Sequence, residues 1–238
     1  MSVTSYVGKV VLITGARRGV GRLLTEHFLA GEARVIGFNR HEDEDELPGY
    51  TSMAVDIADP ASVAQGFARI RQEFGQIDIV INNAAQLVSQ YAMIMPAAAA
   101  KTMLEVNILG TFLVSREAAK LMRKPKWGRI INIGSMASSL EPMGDSVYAA
   151  SKAAISTLAN VMAREFAAFN VTCNTLAITA IETDMLAQLP KDKIDAVVAG
   201  LPLPRYAQPD DIFNVVDFFA SERSAYVTAQ TVYLGGVN

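Results

Sequence analysis

The sequence predicts one α/β domain, a doubly wound parallel sheet of about seven strands with helices on both faces. Three observations predict it. Short apolar runs alternate with longer amphipathic segments along all 238 residues, the pattern of strand–helix–strand units and not of hairpins. Hydrophobic residues are 51% of the chain and charged ones 19%, enough apolar mass for a sheet buried on both faces. A glycine-rich turn, "TGARRGVG" at 14–21, follows the first apolar run, at a strand's carboxyl end, where such sheets bind ligands.

Taken in order, the first strand is read at 10–13, an unbroken apolar run, and a helix at 19–30 follows the glycines. Strands at 33–38 and 52–55 come next. The helix at 60–74 has a clear start, because Asp59 can cap it and Pro60 suits its first position. A strand at 77–82, a long helix at 98–122 and a strand at 129–133 continue the alternation. A helix at 147–169, a strand at 171–177, a helix at 209–221 and a strand at 231–234 complete it. No internal repeat or long linker divides the chain, so 1–238 reads as one domain.

Composition narrows the function. A net charge of −3 argues against nucleic acid or an anionic membrane as partner, since both select basic surfaces. Cys173 is the one cysteine, so no internal disulfide can form, which suits a reducing compartment. It sits in the apolar run 171–177 and reads as a buried structural thiol. His27 and His41 have no metal-ligand spacing, so no metal site is expected. The start lacks a basic segment followed by an apolar one, and no apolar run is read as long enough for a membrane span. A soluble cytoplasmic protein is the expectation.

Four features carry chemistry. Gly15, Gly19 and Gly21 allow positive φ and close approach of a phosphate, and the helix beginning there would aim its free N–H groups at that anion. Tyr148 and Lys152 are four apart and share a helix face. A free tyrosine titrates near about 10, and a neighbouring ammonium would lower that, making Tyr148 a usable acid or base. Ser135 ends the strand "INIGS", thirteen residues before Tyr148, where its hydroxyl could bond a substrate oxygen. Asn107 sits mid-helix, where asparagine is a mediocre former and implies a partner. Taken singly, each also fits an ordinary turn, surface pair, loop residue or core hydrogen bond.

Taken together they fit one pattern. The glycine turn, "NNAA" at 82–85, Asn107, Ser135 and the Tyr148-x-x-x-Lys152 pair resemble the short-chain dehydrogenase/reductase family in order and spacing. The segments "PLPRYAQPDDI" and "YVTAQTVYLGG" extend the likeness over nearly the whole chain. Extended members of that family are longer and space their glycines differently. The resemblance implies a Rossmann-type domain and an NAD(P)-dependent oxidoreductase interconverting a carbonyl and a secondary alcohol by hydride transfer. It implies Tyr148 as general acid/base, Lys152 lowering its pKa and holding the nicotinamide ribose, Ser135 positioning substrate and Asn107 keeping a relay water. For the cofactor it implies Gly15, Arg17, Arg18, Gly19, Val20 and Gly21 at the phosphates, and Asp56 and Ile57 facing adenine. Asn83 and Ala84 would line ribose and phosphate, with Ile181 and Thr183 near the nicotinamide amide.

The stretch "GFNRHEDEDE" at 37–46 bears on cofactor choice. NAD-preferring members of the family usually carry an acid where this chain has Asn39. Arg40 follows it and Arg18 precedes the second glycine; guanidinium forks suit a 2′-phosphate. Glu42, Asp43, Glu44, Asp45 and Glu46 oppose this, but read as a solvated loop whose charge is screened beyond about 8 Å. NADP(H) is therefore expected over NAD(H).

Departures are expected to matter at Ile178-Thr179, where the family usually has a Pro-Gly turn, and in the substrate lid at about 182–205. Smaller ones are Ala85 and Leu234. Pocket walls are expected at 86–95, 136–144 and the lid. A homotetramer packed through the long helices is expected from the resemblance. A narrower reading is a 3-oxoacyl-(acyl-carrier-protein) reductase: "GRIINIGS" and "ETDM" resemble it, with Arg129 matching a basic carrier-docking position and Phe169 standing where a second arginine is usual. The alternative of another class is a non-catalytic dinucleotide sensor or scaffold on the same fold.

Overall fold

The computed structural model describes residues 4–41, 47–183, 185–188 and 190–237. The acidic run Glu42, Asp43, Glu44, Asp45 and Glu46 lies outside the described residues. Among the described residues the strands are β1 (Val10–Thr14), β2 (Arg34–Asn39), β3 (Tyr50–Ala54), β4 (Ile79–Asn82), β5 (Gly128–Ser135), β6 (Val171–Ile178) and β7 (Thr231–Tyr233). The helices are α1 (Gly19–Ala30), α2 (Pro60–Glu73), α3 (Ala97–Leu104), α4 (Thr111–Met122), α5 (Ala137–Leu140), α6 (Ser146–Phe166), α7 (Lys191–Ala199) and α8 (Pro209–Ala220). The sheet order is β3-β2-β1-β4-β5-β6-β7, and every pairing is parallel. The strand order reverses between β1 and β4, so the crevice at their carboxyl ends is the place for a ligand.

The strands read as unbroken apolar runs because both faces are buried. Along β1, Val10 and Leu12 join one core while Val11 and Ile13 join the other. The first core also takes Phe67 and Ile70 of α2, Val114 and Met122 of α4, and Ala159 and Met162 of α6. The second takes Leu24 and Phe28 of α1 with Ile212, Val216 and Phe219 of α8. Each of these large side chains contributes about 1.5–3 kcal/mol by burial. Caps agree with the sequence reading: Asp59 accepts from the N–H groups of Ala61 and Ser62 at 3.0 and 3.2 Å. Cys173 is fully buried, and burial pushes its thiol up to about 12, as expected of a structural thiol.

Three differences from the sequence reading have physical causes. The long helix is interrupted: a π-helical segment, Glu105–Gly110, separates α3 from α4. The combined helix, Ala97–Met122, has 26 residues and is long and apolar enough to cross a membrane, against the expectation that no such run exists. Its Met103, Val106, Val114 and Met122 are buried inside the protein. Finally, α7 has no counterpart in the reading, because its apolar stripe is short and only Ile194 and Val198 are buried.

A polar clamp ties the amino-terminal segment to α8. Asp217 accepts from Tyr6 Oη at 2.6 Å and Thr4 Oγ1 at 2.5 Å, and pairs with His27 Nε2 at 2.7 Å. Burial alone would raise the Asp217 carboxyl, but the bonds from His27, Thr4 and Tyr6 hold it below its ordinary value.

Candidate active site

β1 delivers the chain into the glycine turn. Gly15 turns with φ +67°, the left-handed region that glycine enters without steric cost. A Cβ on Gly21 would lie 2.0 Å from the Gly15 carbonyl oxygen, so only glycine lets α1 begin directly on the turn. Thr14 Oγ1 accepts from the N–H groups of Asn83 and Ala84, each at 3.0 Å. Asn83 Nδ2 donates to the carbonyls of Thr14 and Gly15 at 3.0 and 3.2 Å. Asn83 therefore braces the turn with its side chain. Thr14 was missed in the sequence reading, although a hydroxyl between strand and glycine turn is a usable signal. The first turn of α1 holds no acid, Val20 anchors it in the core, and Arg17 and Arg18 are exposed beside it. Its N-terminal dipole faces outward for an anion.

One strand over, Asn39 is the last residue of β2 and is buried. Its Nδ2 donates to Tyr50 Oη at 3.1 Å and Ser52 Oγ at 3.3 Å. Its Oδ1 is buried and finds no donor among the described residues, an acceptor suited to a ribose hydroxyl. Arg40, next to it, is exposed. Beyond β3, Asp56 is exposed and accepts from Ala58 N at 2.9 Å, while Ile57 is buried. Together with Gly15, Gly19 and Gly21 these residues form an edge that fits an adenine dinucleotide.

The second half of the site lies at the end of β5. The Ser135 hydroxyl is near enough to Tyr148 to lower the phenol's pKa, and Ser135 Oγ accepts from Ala137 N at 3.1 Å. Lys152 is buried, and its Nζ donates to the Ile133 carbonyl at 2.8 Å while lying 5.8 Å from the Tyr148 ring centroid. The geometry corrects the expected direction of the Tyr148 shift. Burial raises the phenol, the Ser135 hydroxyl lowers it, the Asp145 charge raises it, and the net value is about 12. Burial in turn lowers Lys152 to about 8. Desolvation is the largest cause of the phenol's rise, and Lys152 Nζ spends a bond on the Ile133 carbonyl.

Asn107 lies inside the π segment, a backbone irregularity often found at functional sites. Its Oδ1 accepts from Gln86 N at 2.8 Å, and its Nδ2 donates to the Gln86 carbonyl at 3.0 Å and Ser151 Oγ at 2.9 Å. Both side-chain donors of Asn107 are spent on these partners. Ser151 in turn donates to the Tyr148 carbonyl at 2.7 Å. Asn107 thus ties the loop after β4 to the Tyr148 turn of α6. Ser151 escaped the sequence reading, where nothing separates it from other small residues of the helix.

No Pro-Gly-like turn forms at Ile178-Thr179: β6 runs through Ile178, whose carbonyl accepts from Met136 N at 2.8 Å. Thr179 is buried, its methyl 2.9 Å from where a Cβ on Gly235 would stand, so the closing "GG" accommodates the departure. Ile181 is buried. Thr183 packs over the glycine turn, with its Cγ2 3.4 Å from the position of a Cβ on Gly19. A cavity of about 500 Å³ beside the site is lined by Tyr91, Ala92, Ser138, Glu141, Met143 and Ala149, among others. Two of the expected walls are there; the third is α6 and not the lid.

Arg129 is not a docking residue of this mouth. It is fully buried at the opposite end of β5 from Ser135, six residues or about 20 Å away by strand rise. Its Nε donates to the Ser221 carbonyl at 3.2 Å and its Nη1 to the Gly128 carbonyl at 2.9 Å.

Residues 9–194 match the model of the short chain dehydrogenase family. The chain belongs to that family. It is 34% identical over 238 residues to the 3-oxoacyl-[acyl-carrier-protein] reductase of Escherichia coli, covering 98% of each chain. Among solved structures it is similar to a putative gluconate dehydrogenase from Agrobacterium tumefaciens, with TM-score 0.89, 26% identity, and 99% and 98% of the two chains covered. It is equally similar to a short chain dehydrogenase from Leptospira borgpetersenii with bound NAD+, with TM-score 0.89, 26% identity, and 98% and 93% covered. The protein is an NAD(P)-dependent oxidoreductase with the Rossmann-type fold.

Proposed function

We propose that the enzyme interconverts a carbonyl and a secondary alcohol, with NADP(H) preferred over NAD(H). The observation that carries this is Ser135 acting on the Tyr148 phenol beside buried Lys152, two strands from the braced glycine turn. Ser135 holds the substrate oxygen, and Tyr148 gives it a proton in reduction or takes one in oxidation. The nicotinamide supplies or accepts the hydride at the carbonyl carbon when bound. Lys152 holds the ribose and keeps positive charge near the phenol. Asn107 is a positioning residue acting through Gln86 and Ser151. Gly15, Arg17, Arg18, Gly19, Val20 and Gly21 hold the phosphates; Asn39, Arg40, Asp56, Ile57, Asn83 and Ala84 hold the adenosine; Ile181 and Thr183 reach the amide. The lid at about 182–205 closes the site, a reading supported by Thr183 over Gly19 and by Ile194 and Val198 packed with Met136.

Turnover of carbonyl compounds with NADPH and NADH tests the reaction. Fluorescence titration tests the cofactor: wild type is expected to bind NADPH more tightly. Arg18→Ala combined with Arg40→Ala should remove about tenfold or more of that preference, as charge-assisted bonds are lost. An unchanged preference in the double variant would refute the arginine assignment.

A second reading is favoured by the E. coli relative: reduction of 3-oxoacyl thioesters on an acyl carrier. Buried Arg129 and Phe169 in place of an arginine weaken it, and turnover of a 3-oxoacyl thioester decides it. We further infer a cytoplasmic homotetramer, supported by the exposed apolar Leu109 and Phe112 before and in α4 and Val161 on α6. Light scattering should give the mass of four chains; a monomer mass would remove the assembly.

A further inference from the structure

The geometry points to Asp145 as a specificity-determining residue that selects substrates carrying a hydroxyl next to the reacting carbonyl. This rests on the carbonyl-reductase reading above. Asp145 is the residue before α6, three positions ahead of Tyr148, and positions three apart share a helix face. It is only 9% exposed. Its Oδ1 is buried and finds no donor among the described residues, and its side chain makes no capping bond to the helix it precedes. A buried acceptor without a donor costs about 1–3 kcal/mol, so a carboxylate kept there implies a donor that arrives from outside the chain.

Two further observations place that donor at the substrate. Asp145 lies near enough for its charge to raise the Tyr148 phenol. Gln86 Oε1 is a second buried side-chain oxygen without a donor among the described residues, in a loop that reaches the residue before Asp145. That loop is fastened there by Gln90 N donating to the Gly144 carbonyl at 2.8 Å. A hydroxyl one carbon from the carbonyl would meet the carboxylate while the carbonyl oxygen meets Ser135 and Tyr148. A simple ketone leaves Oδ1 unpaired, and a substrate with its own carboxylate there meets like charge.

The test compares hydroxymethyl pentyl ketone with ethyl pentyl ketone, which puts a methyl where the first has a hydroxyl. The readout is the ratio of the two kcat/KM values in wild type, Asp145→Asn and Asp145→Ala, each confirmed folded by circular dichroism. Intrinsic reactivity of the two ketones cancels when ratios are compared between variants. Asp145→Ala is expected to lower the hydroxyketone ratio about tenfold to a hundredfold, the worth of a bond to a charged acceptor. Asp145→Asn keeps an acceptor but not its charge and should fall between. A ratio that both variants leave unchanged, with turnover of either ketone intact, overturns the assignment of Asp145 alone. Wild type that reduces neither ketone with either nucleotide overturns the carbonyl-reductase reading and this inference with it.

Discussion

Tyr148→Phe is expected to lower kcat about a thousandfold while leaving the fold and nucleotide affinity in place. General acid/base groups contribute about 10²–10⁴-fold, and the phenol is the group of this site that can move a proton to a substrate oxygen held by Ser135. Losing the hydroxyl should cost only about 1 kcal/mol of stability, because the ring remains packed with Met103, Ala137 and Ala149. Steady-state rates, circular dichroism and nucleotide fluorescence separate these outcomes; full turnover in the variant would dismiss the mechanism. The raised phenol adds a signature in pH. With Tyr148 near about 12, its proton is in place throughout the neutral range, so reduction should be level there. Oxidation requires the phenolate, whose fraction grows tenfold with each pH unit below that value. The oxidative rate should therefore climb with pH while the reductive rate does not.

Gly21→Ala should be the most damaging small change in the nucleotide half. The new methyl would stand 2.0 Å from the Gly15 oxygen and 2.6 Å from Asn83 Nδ2, and neither can retreat. The oxygen is backbone, and the amide holds the turn through two bonds. Overpacking of this kind costs about 1–3 kcal/mol. The displaced turn should also weaken NADPH binding about a hundredfold, equivalent to about 3 kcal/mol. Denaturant melts and titration measure both. Gly75→Ala is the control: a Cβ there meets nothing within 4 Å, though φ is +74°, so it should show left-handed strain of about 1–2 kcal/mol and normal binding. Equal affinity in Gly21→Ala and wild type would mean that the turn does not hold the phosphates.

Much of this was legible before any coordinates. The strands announced themselves because parallel strands buried on both faces must be apolar throughout. The Asp59-Pro60 start was legible because capping is local chemistry. Ser135, Tyr148 and Lys152 could be picked out as candidates only in combination with the glycine turn, "NNAA" and Asn107, since each alone also fits a bland role. The π segment around Asn107 was not legible, since nothing in "LEVNILG" marks a widened turn; it depends on Asn107 reaching Gln86 and Ser151. Ile178-Thr179 read as a threat to the site, yet Gly235 from the far end of the chain makes room for it. Arg129 read as a surface charge, and the packing around the start of β5 put it in the interior.

Alternating apolar runs and caps determined the strands and helices, because each depends on neighbours within a few positions, and the order of motifs along the whole chain determined the family and the catalytic candidates. Tertiary structure alone decided which polar atoms end with a partner and which end without one. It paired Asn83 with the glycine turn and Lys152 with Ile133, and left Asn39 Oδ1 and Asp145 Oδ1 buried without a donor among the described residues. The physical reason is that desolvation and hydrogen-bond partnership depend on what distant segments bring to the same point in space.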